Sequence, residues 1–129
     1  MRRAREQARE VPIAMVIEDE PEVRSLAATI LEEADLEVVE VSTGDEALAF
    51  LRENAPDVAM IFADVKLPGR VDGVDLARVA ATSWPWIKVV LTSGSMERPL
   101  NDLPRTAVFI PKPWRALDVL VEAERVAHH

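Results

Sequence analysis

Two periods of apolar residues run along this chain. Pro12–Ile17 is a short apolar run that reads as a strand. Glu20-Pro21-Glu22 then opens a helix, because proline is tolerated in a first helical turn and acids suit the positive end of the helix dipole. Val23, Leu26, Ala27, Ile30 and Leu31 follow at helical spacing. Glu37–Val41 alternates and predicts a second strand, and Ser42 or Thr43 caps a helix in which Ala47, Leu48 and Leu51 face inward. Asn54-Ala55-Pro56 breaks that helix, and Val58–Ala63 is a continuous apolar run, the third strand. A Gly/Pro loop, Leu67–Gly73, leads to a helix over Val74–Ala81 that stops at Ser83-Trp84-Pro85. Ile87–Leu91 and Ala107–Ile110 are the fourth and fifth strands. Between them, Ser93–Arg105 holds Gly94, Pro99 and Pro104, which limits any helix there to about one or two turns. Trp114–Ala127 is the last helix.

The pattern is strand–helix five times over, with a short or irregular fourth helix. Such alternation predicts an α/β fold: a (βα)5 doubly wound, five-stranded parallel sheet with helices on both faces. The flavodoxin-like strand order 2-1-3-4-5 places a ligand site between the ends of strands 1 and 3.

Composition narrows the classes. At 129 residues the chain is one domain long, and its 49% apolar and 29% charged residues are an ordinary globular balance. No stretch of about 18 apolar residues predicts a membrane span, and the Arg-rich Met1–Glu10 lacks the apolar core and cleavage site of a signal peptide. A cytoplasmic location is expected, with residues 1–11 an N-terminal extension and 12–127 the folded domain. The net charge of −8 argues against direct nucleic-acid binding, which needs a positive footprint. There is no cysteine, and the two histidines are the last two residues, so the chemistry available is that of carboxylates, lysine and hydroxyls.

Those groups sit where strands end. Glu18 and Asp19 follow the first strand, Asp64 the third, Thr92 the fourth, and Lys112 closes the fifth after Pro111. In an open α/β sheet the carboxyl ends of the strands are the ligand edge. Three crowded carboxylates repel one another, and a hard cation such as Mg²⁺ relieves this; a lysine and a hydroxyl suit an anion. The site is thus built to take a cation and a phosphoryl group side by side. Solvated strand ends or helix caps are the plainer reading of Glu18-Asp19 alone. Lys112 lies between two prolines, and a cis Lys112-Pro113 bond, available at modest cost, would turn the lysine toward Asp64.

With these pieces in order, the sequence resembles bacterial two-component response-regulator receiver domains over roughly Pro12–Val126. The matching segments are Ile17-Glu18-Asp19-Glu20, Asp64-Val65-Lys66-Leu67-Pro68-Gly69, Asp72-Gly73, Leu91-Thr92-Ser93-Gly94 and Phe109-Ile110-Pro111-Lys112-Pro113. Asp19, Asp64, Thr92 and Lys112 are separated by 45, 28 and 20 residues. The resemblance implies that Asp64 is the phosphoacceptor, receiving a phosphoryl group from a sensor histidine kinase or a histidine phosphotransfer protein. It implies Mg²⁺ held by Asp19, Asp64 and the backbone carbonyl of Lys66, with Glu18 acting mostly through water. Lys112 would pair with the phosphoryl oxygens, Thr92 would move to bond one of them, and Phe109 would be the aromatic that turns inward with it.

Four features depart from the family pattern. Glu18 stands where Asp is commoner. Lys66 lies two residues after the acceptor, where it can alter the lifetime of an aspartyl phosphate or pair with a carboxylate. The Pro68–Asp72 loop is one residue longer than in the chemotaxis regulator, and Met96–Pro104 is too proline-rich for a full fourth helix. In the last helix, Ala116, Leu117, Val119, Leu120, Val121, Ala123 and Val126 spread over roughly 220°, wider than one buried stripe needs, so a homodimer or partner surface is one expectation and ordinary apolar scatter the other. With no effector domain after Val126, the expected role is a stand-alone phosphorylation switch acting on a downstream protein, or a receiver excised from a larger chain, and not an enzyme. Two other readings stay open: a degenerate receiver that binds partners without phosphorylation, and a Mg-dependent phosphohydrolase with Asp64 as nucleophile. Many such hydrolases carry a second Asp where this chain has Lys66.

Overall fold

The computed structural model describes residues 11–94 and 103–127. The elements follow the apolar pattern closely: β1 (Ile13–Ile17), α1 (Pro21–Glu33), β2 (Glu37–Val41), α2 (Gly44–Asn54), a 3-10 turn (Ala55–Asp57), β3 (Val58–Asp64), α3 (Gly73–Ser83), β4 (Lys88–Ser93), β5 (Val108–Pro111) and α4 (Ala116–Ala127). The five strands form one parallel sheet in the order β2-β1-β3-β4-β5, as expected. Residues 95–102 of the segment expected to hold a weak fourth helix, the N-terminal extension up to residue 10, and the two terminal histidines lie outside the described residues.

Strand alternation divides the core into two layers. Ile13, Met15 and Ile17 face α2 and α3 with Ala47, Leu51, Leu76 and Ala80, whereas Ala14 and Val16 face α1 and α4 with Ala27, Leu31, Val119 and Ala123. Both faces of β1 are buried, which is why its five residues read as an unbroken apolar run. β3 carries one extra residue near its start: Ile13 pairs with Val58 but Ala14 with Met60. This bulge at Ala59 keeps Val58 and Ile61 in the same layer despite their three-residue spacing. Truncating a fully buried residue such as Ile61 to Ala would cost about 2–5 kcal/mol.

Helix ends are capped by the residues their sequence offers. Thr43 is the N-cap of α2, its Oγ1 accepting from the Glu46 N–H at 3.1 Å. Asp72 and Asp75 form a reciprocal capping box at α3, with bonds of 2.8 and 3.1 Å. β4 runs two residues beyond the expected Leu91, so Thr92 and Ser93 are strand residues. β5 starts and ends one residue later than expected. Helix α4 begins two residues after Trp114, where the Arg115 N–H donates to Asp118 at 2.9 Å.

Two apolar positions differ from their helical pattern. Leu26 is 55% exposed although it shares the α1 spacing of buried Ala27 and Ile30. It points to the loop after β5 instead of the sheet, bordering a hollow with Val23, Pro113 and Trp114. The wide arc of α4 splits: Val119 and Ala123 are buried, Leu120 and Val126 pack partly against the core, and Leu117 and Val121 are exposed. The exposed pair borders a groove with Val108, Phe109 and Pro111 of β5.

Candidate functional site

Sheet register assembles the site. Ile17 pairs with Ala63, Asp64 with Thr92, and Ser93 with Pro111. The residues that follow or end these strands therefore lie at one height on the carboxyl edge. One ligand oxygen from each of Glu18, Asp19 and Asp64 lies within 4.8 Å of the others. Glu18 and Asp64 are buried, at 4% and 8% exposure, and Asp19 is exposed.

Lys112 reaches this cluster from the end of β5. Its N–H donates to Ser93 O at 3.0 Å, continuing the sheet by one residue. The Lys112-Pro113 bond is cis. The Lys112 Nζ donates to Asp64 Oδ2 at 2.8 Å and to Glu18 Oε1 at 3.2 Å. Behind it, Trp114 meets Phe62 of β3 edge-on at 5.6 Å between ring centroids, which packs the loop onto the sheet.

The acids are oriented by backbone. Glu18 Oε2 accepts the Glu20 N–H at 3.2 Å, and Asp64 Oδ1 accepts the Lys66 N–H at 3.1 Å. The Gly73 N–H donates to Val65 O at 2.8 Å, folding the loop back under the end of β3. A Cβ on Gly73 would lie 2.4 Å from Asp64 O, so only glycine allows this approach. Gly69 has φ +93, a left-handed conformation suited to glycine. Next to it, the Arg70 N–H donates to Asp45 Oδ2 at 3.3 Å and ties the loop to the start of α2.

Burial raises the Glu18 carboxyl above its ordinary value; the Glu20 N–H and Lys112 oppose this, and the charge of Asp64 adds to it. Burial acts to lower the Lys112 amine, but the hydrogen bonds and charges of Asp64 and Glu18 outweigh it and hold that amine above the ordinary lysine range. Thr92 is 1% exposed, and its Oγ1 is buried without a hydrogen-bond partner among the described residues. A buried hydroxyl left unpaired is costly, and this one stands on the strand beside Asp64. Phe109 is half-buried against the core and pairs in register with Leu91, the residue before Thr92.

All seven residues singled out from sequence, Glu18, Asp19, Asp64, Lys66, Thr92, Phe109 and Lys112, thus lie on or next to this edge. A cluster of three oxygen donors fits a hard divalent cation. Lys112 pairs with two of these acids, Glu18 and Asp64.

The family model for the response regulator receiver domain matches residues 14–122. The chain belongs to this family. It is the receiver domain of a two-component response regulator. The nitrogen assimilation regulatory protein NtrX of Azorhizobium caulinodans is 33% identical over 115 residues, which cover 86% of this chain and 25% of that protein. This chain therefore spans about a quarter of that relative's length. The response regulator receiver protein CpdR of Brucella abortus is 29% identical, with 87% of this chain and 93% of CpdR covered. Among solved structures, the receiver domain of NtrX from Brucella abortus superposes with a TM-score of 0.75 at 33% identity, covering 89% of this chain and 98% of that one. A receiver domain protein from Clostridium thermocellum has the same fold, with a TM-score of 0.80 at 22% identity over 92% of this chain and 95% of that one. Among the described residues, no helix is long and apolar enough to cross a membrane.

Arg24 and Asp45 touch the site or its loop and were not singled out from sequence. Arg24 and Asp45 look like ordinary surface charges on helices, and only the fold shows what they reach. Gly73 stood in the Asp72-Gly73 motif, but its contact with Asp64 O depends on a loop path that spacing does not define.

Proposed function

We propose that this receiver, residues 12–127, is a phosphorylation switch in which Asp64 takes a phosphoryl group from a phosphohistidine on a sensor kinase or phosphotransfer protein. The observation that carries this is the pairing of Asp64 with Lys112 at 2.8 Å beside a buried Thr92 hydroxyl that has no partner among the described residues. A carboxylate oxygen of Asp64 forms a bond to phosphorus as the phosphorus–nitrogen bond of the donor breaks, and the imidazole leaves with that electron pair. Such transfer depends on alignment and charge neutralisation more than on covalent help. Mg²⁺, when bound, would neutralise charge on the acids and on the phosphoryl oxygens; Asp19, Asp64 and the Lys66 carbonyl would hold it, with Glu18 acting through water.

The residues of the chain supply the rest. Lys112 leaves its bonds to the carboxylates and pairs with a phosphoryl oxygen. The Thr92 hydroxyl donates to another and gains the partner it lacks. Phe109, joined to the strand of Thr92 through Leu91, follows inward and changes the groove it shares with Leu117 and Val121. That groove is the surface we assign to output, whether a downstream protein or a second copy of the chain. The hollow bordered by Val23, Leu26, Pro113 and Trp114 adjoins Lys112 and suits the apolar flank of a helix that presents a phosphohistidine. We take the protein as cytoplasmic, and as a signalling module that assists only its own phosphorylation and dephosphorylation.

Phosphate-affinity electrophoresis after treatment with acetyl phosphate tests this reading. A retarded band that needs Mg²⁺ and is absent in Asp64→Asn is expected. Sustained turnover of a free phosphate ester would favour a phosphohydrolase instead, and no band in the wild type would favour a degenerate, phosphorylation-independent receiver.

A further inference from the structure

Arg24 lies in the second turn of α1, and its guanidinium leaves the helix to make two contacts. Nη1 donates to the backbone carbonyl oxygen of Glu18 at 2.9 Å, and Nε lies 3.4 Å from Glu40 Oε1 on β2. The Arg24 side chain is 23% exposed. Other partners hold the remaining polar groups of Glu18: its N–H donates to Val41 O at 3.1 Å, and its carboxylate accepts from Glu20 N and Lys112 Nζ. The carbonyl that Arg24 holds belongs to the peptide plane that also contains the Asp19 N–H. A planar peptide transmits orientation, so fixing that oxygen fixes the direction in which Asp19 leaves the strand. Asp19 is exposed, so packing does little to aim its carboxylate.

We infer that Arg24 is a positioning residue: by tying the Glu18–Asp19 peptide to α1 and β2, it holds Asp19 at the distance from Asp64 that a divalent cation requires. The inference rests on the reading of these acids as a Mg²⁺ site. Its sign separates it from a simple charge effect. A guanidinium near the acids repels a second cation, so if charge alone mattered, removing it would tighten Mg²⁺ binding. If positioning matters, removing it weakens binding.

Titration of the full chain with Mg²⁺ by calorimetry, for wild type, Arg24→Met, Arg24→Lys, Glu40→Gln and Asp19→Ala, decides between them. Arg24→Met is expected to raise the dissociation constant about tenfold, the low end of the range seen when groups that orient metal ligands are lost. Arg24→Lys should recover part of this, because an ammonium can reach the carbonyl or Glu40 but lacks the planar fork that reaches both. Glu40→Gln should cost about twofold or less, since its contact is long and exposed. With acetyl phosphate, half-saturating Mg²⁺ should rise in Arg24→Met while the labelling rate at saturating Mg²⁺ stays within about twofold. A purely structural role would lower the melting temperature and leave the dissociation constant alone. An unchanged or tighter constant in Arg24→Met, with Asp19→Ala abolishing binding, overturns the positioning role and leaves the metal site standing. Wild-type binding by Asp19→Ala overturns both. Should Arg24→Met not fold, Arg24→Lys and Glu40→Gln carry the test: wild-type constants in both overturn it.

Discussion

Replacing Lys112 with Met removes a cation that bonds to two buried carboxylates, Glu18 and Asp64. Oxygens of Glu18 and Asp64 lie within 4.8 Å of each other, and their side chains are only 5% and 10% exposed. Two unit charges at that separation repel by about 3 kcal/mol at an effective dielectric near 20. Part of this is relieved when the pair takes up a proton, so the net loss of stability at neutral pH should be about 2 kcal/mol, or roughly 6–10 °C in melting temperature for a domain of this size. The assay is thermal unfolding with and without Mg²⁺. A divalent cation in excess should restore much of the lost stability, because binding at about 100 times the dissociation constant contributes about 2.7 kcal/mol. It should stabilise Lys112→Met more than wild type, where the ammonium already offsets the acids. A variant as stable as wild type without metal, or one that Mg²⁺ stabilises no more than it does wild type, would show that Lys112 does not hold this cluster together.

Three further outcomes follow from other atoms. Thr92→Val removes a buried hydroxyl that has no partner among the described residues, so it should leave the metal-free protein as stable or up to about 1 kcal/mol more stable, while the response to beryllofluoride and Mg²⁺ is lost; a loss of stability measured by urea unfolding would contradict this. Leu26→Asp should slow phosphoryl transfer from a cognate kinase at least about tenfold yet leave labelling by acetyl phosphate within about twofold, since in the proposed docking only a protein donor would cover that hollow; equal effects on both donors would remove the docking role. Glu18 has a folded pKa raised above 4.5. Below pH 4.5 the carboxyl is protonated folded and unfolded; above it the unfolded chain ionises first, so Glu18 lowers stability progressively until the folded pKa is passed. Relative to Glu18→Gln, wild type should therefore lose stability as pH rises from about 4.5, and a gain over that range in chemical unfolding would reverse the assignment.

Much of the fold was legible because both faces of β1 and β3 are buried. Their apolar runs end abruptly at Glu18 and Asp64, and the strand order then brings those ends together. Lys112 was legible from its two flanking prolines and its distance along the chain from Thr92. What was not legible depends on tertiary geometry. The spacing of Leu26 matches that of its buried neighbours, and its exposure is decided by where the loop after β5 passes. The bulge at Ala59 leaves no mark in an all-apolar strand. The α4 arc could be measured from sequence, but which of its residues remain exposed depends on β5 being a four-residue edge strand that covers only part of the helix. Arg24 shows the same limit: its helix position is plain, but the carbonyl it holds belongs to the preceding strand end.

If Asp64 receives the phosphoryl group, chemical trapping locates it there. Reductive trapping with borohydride after acetyl phosphate and Mg²⁺, followed by peptide mass mapping, converts an aspartyl phosphate to homoserine at the labelled position. That conversion is expected at Asp64 alone, dependent on Mg²⁺. Trapping at Glu18, Asp19 or any other carboxylate, with Asp64 unmodified, would contradict it.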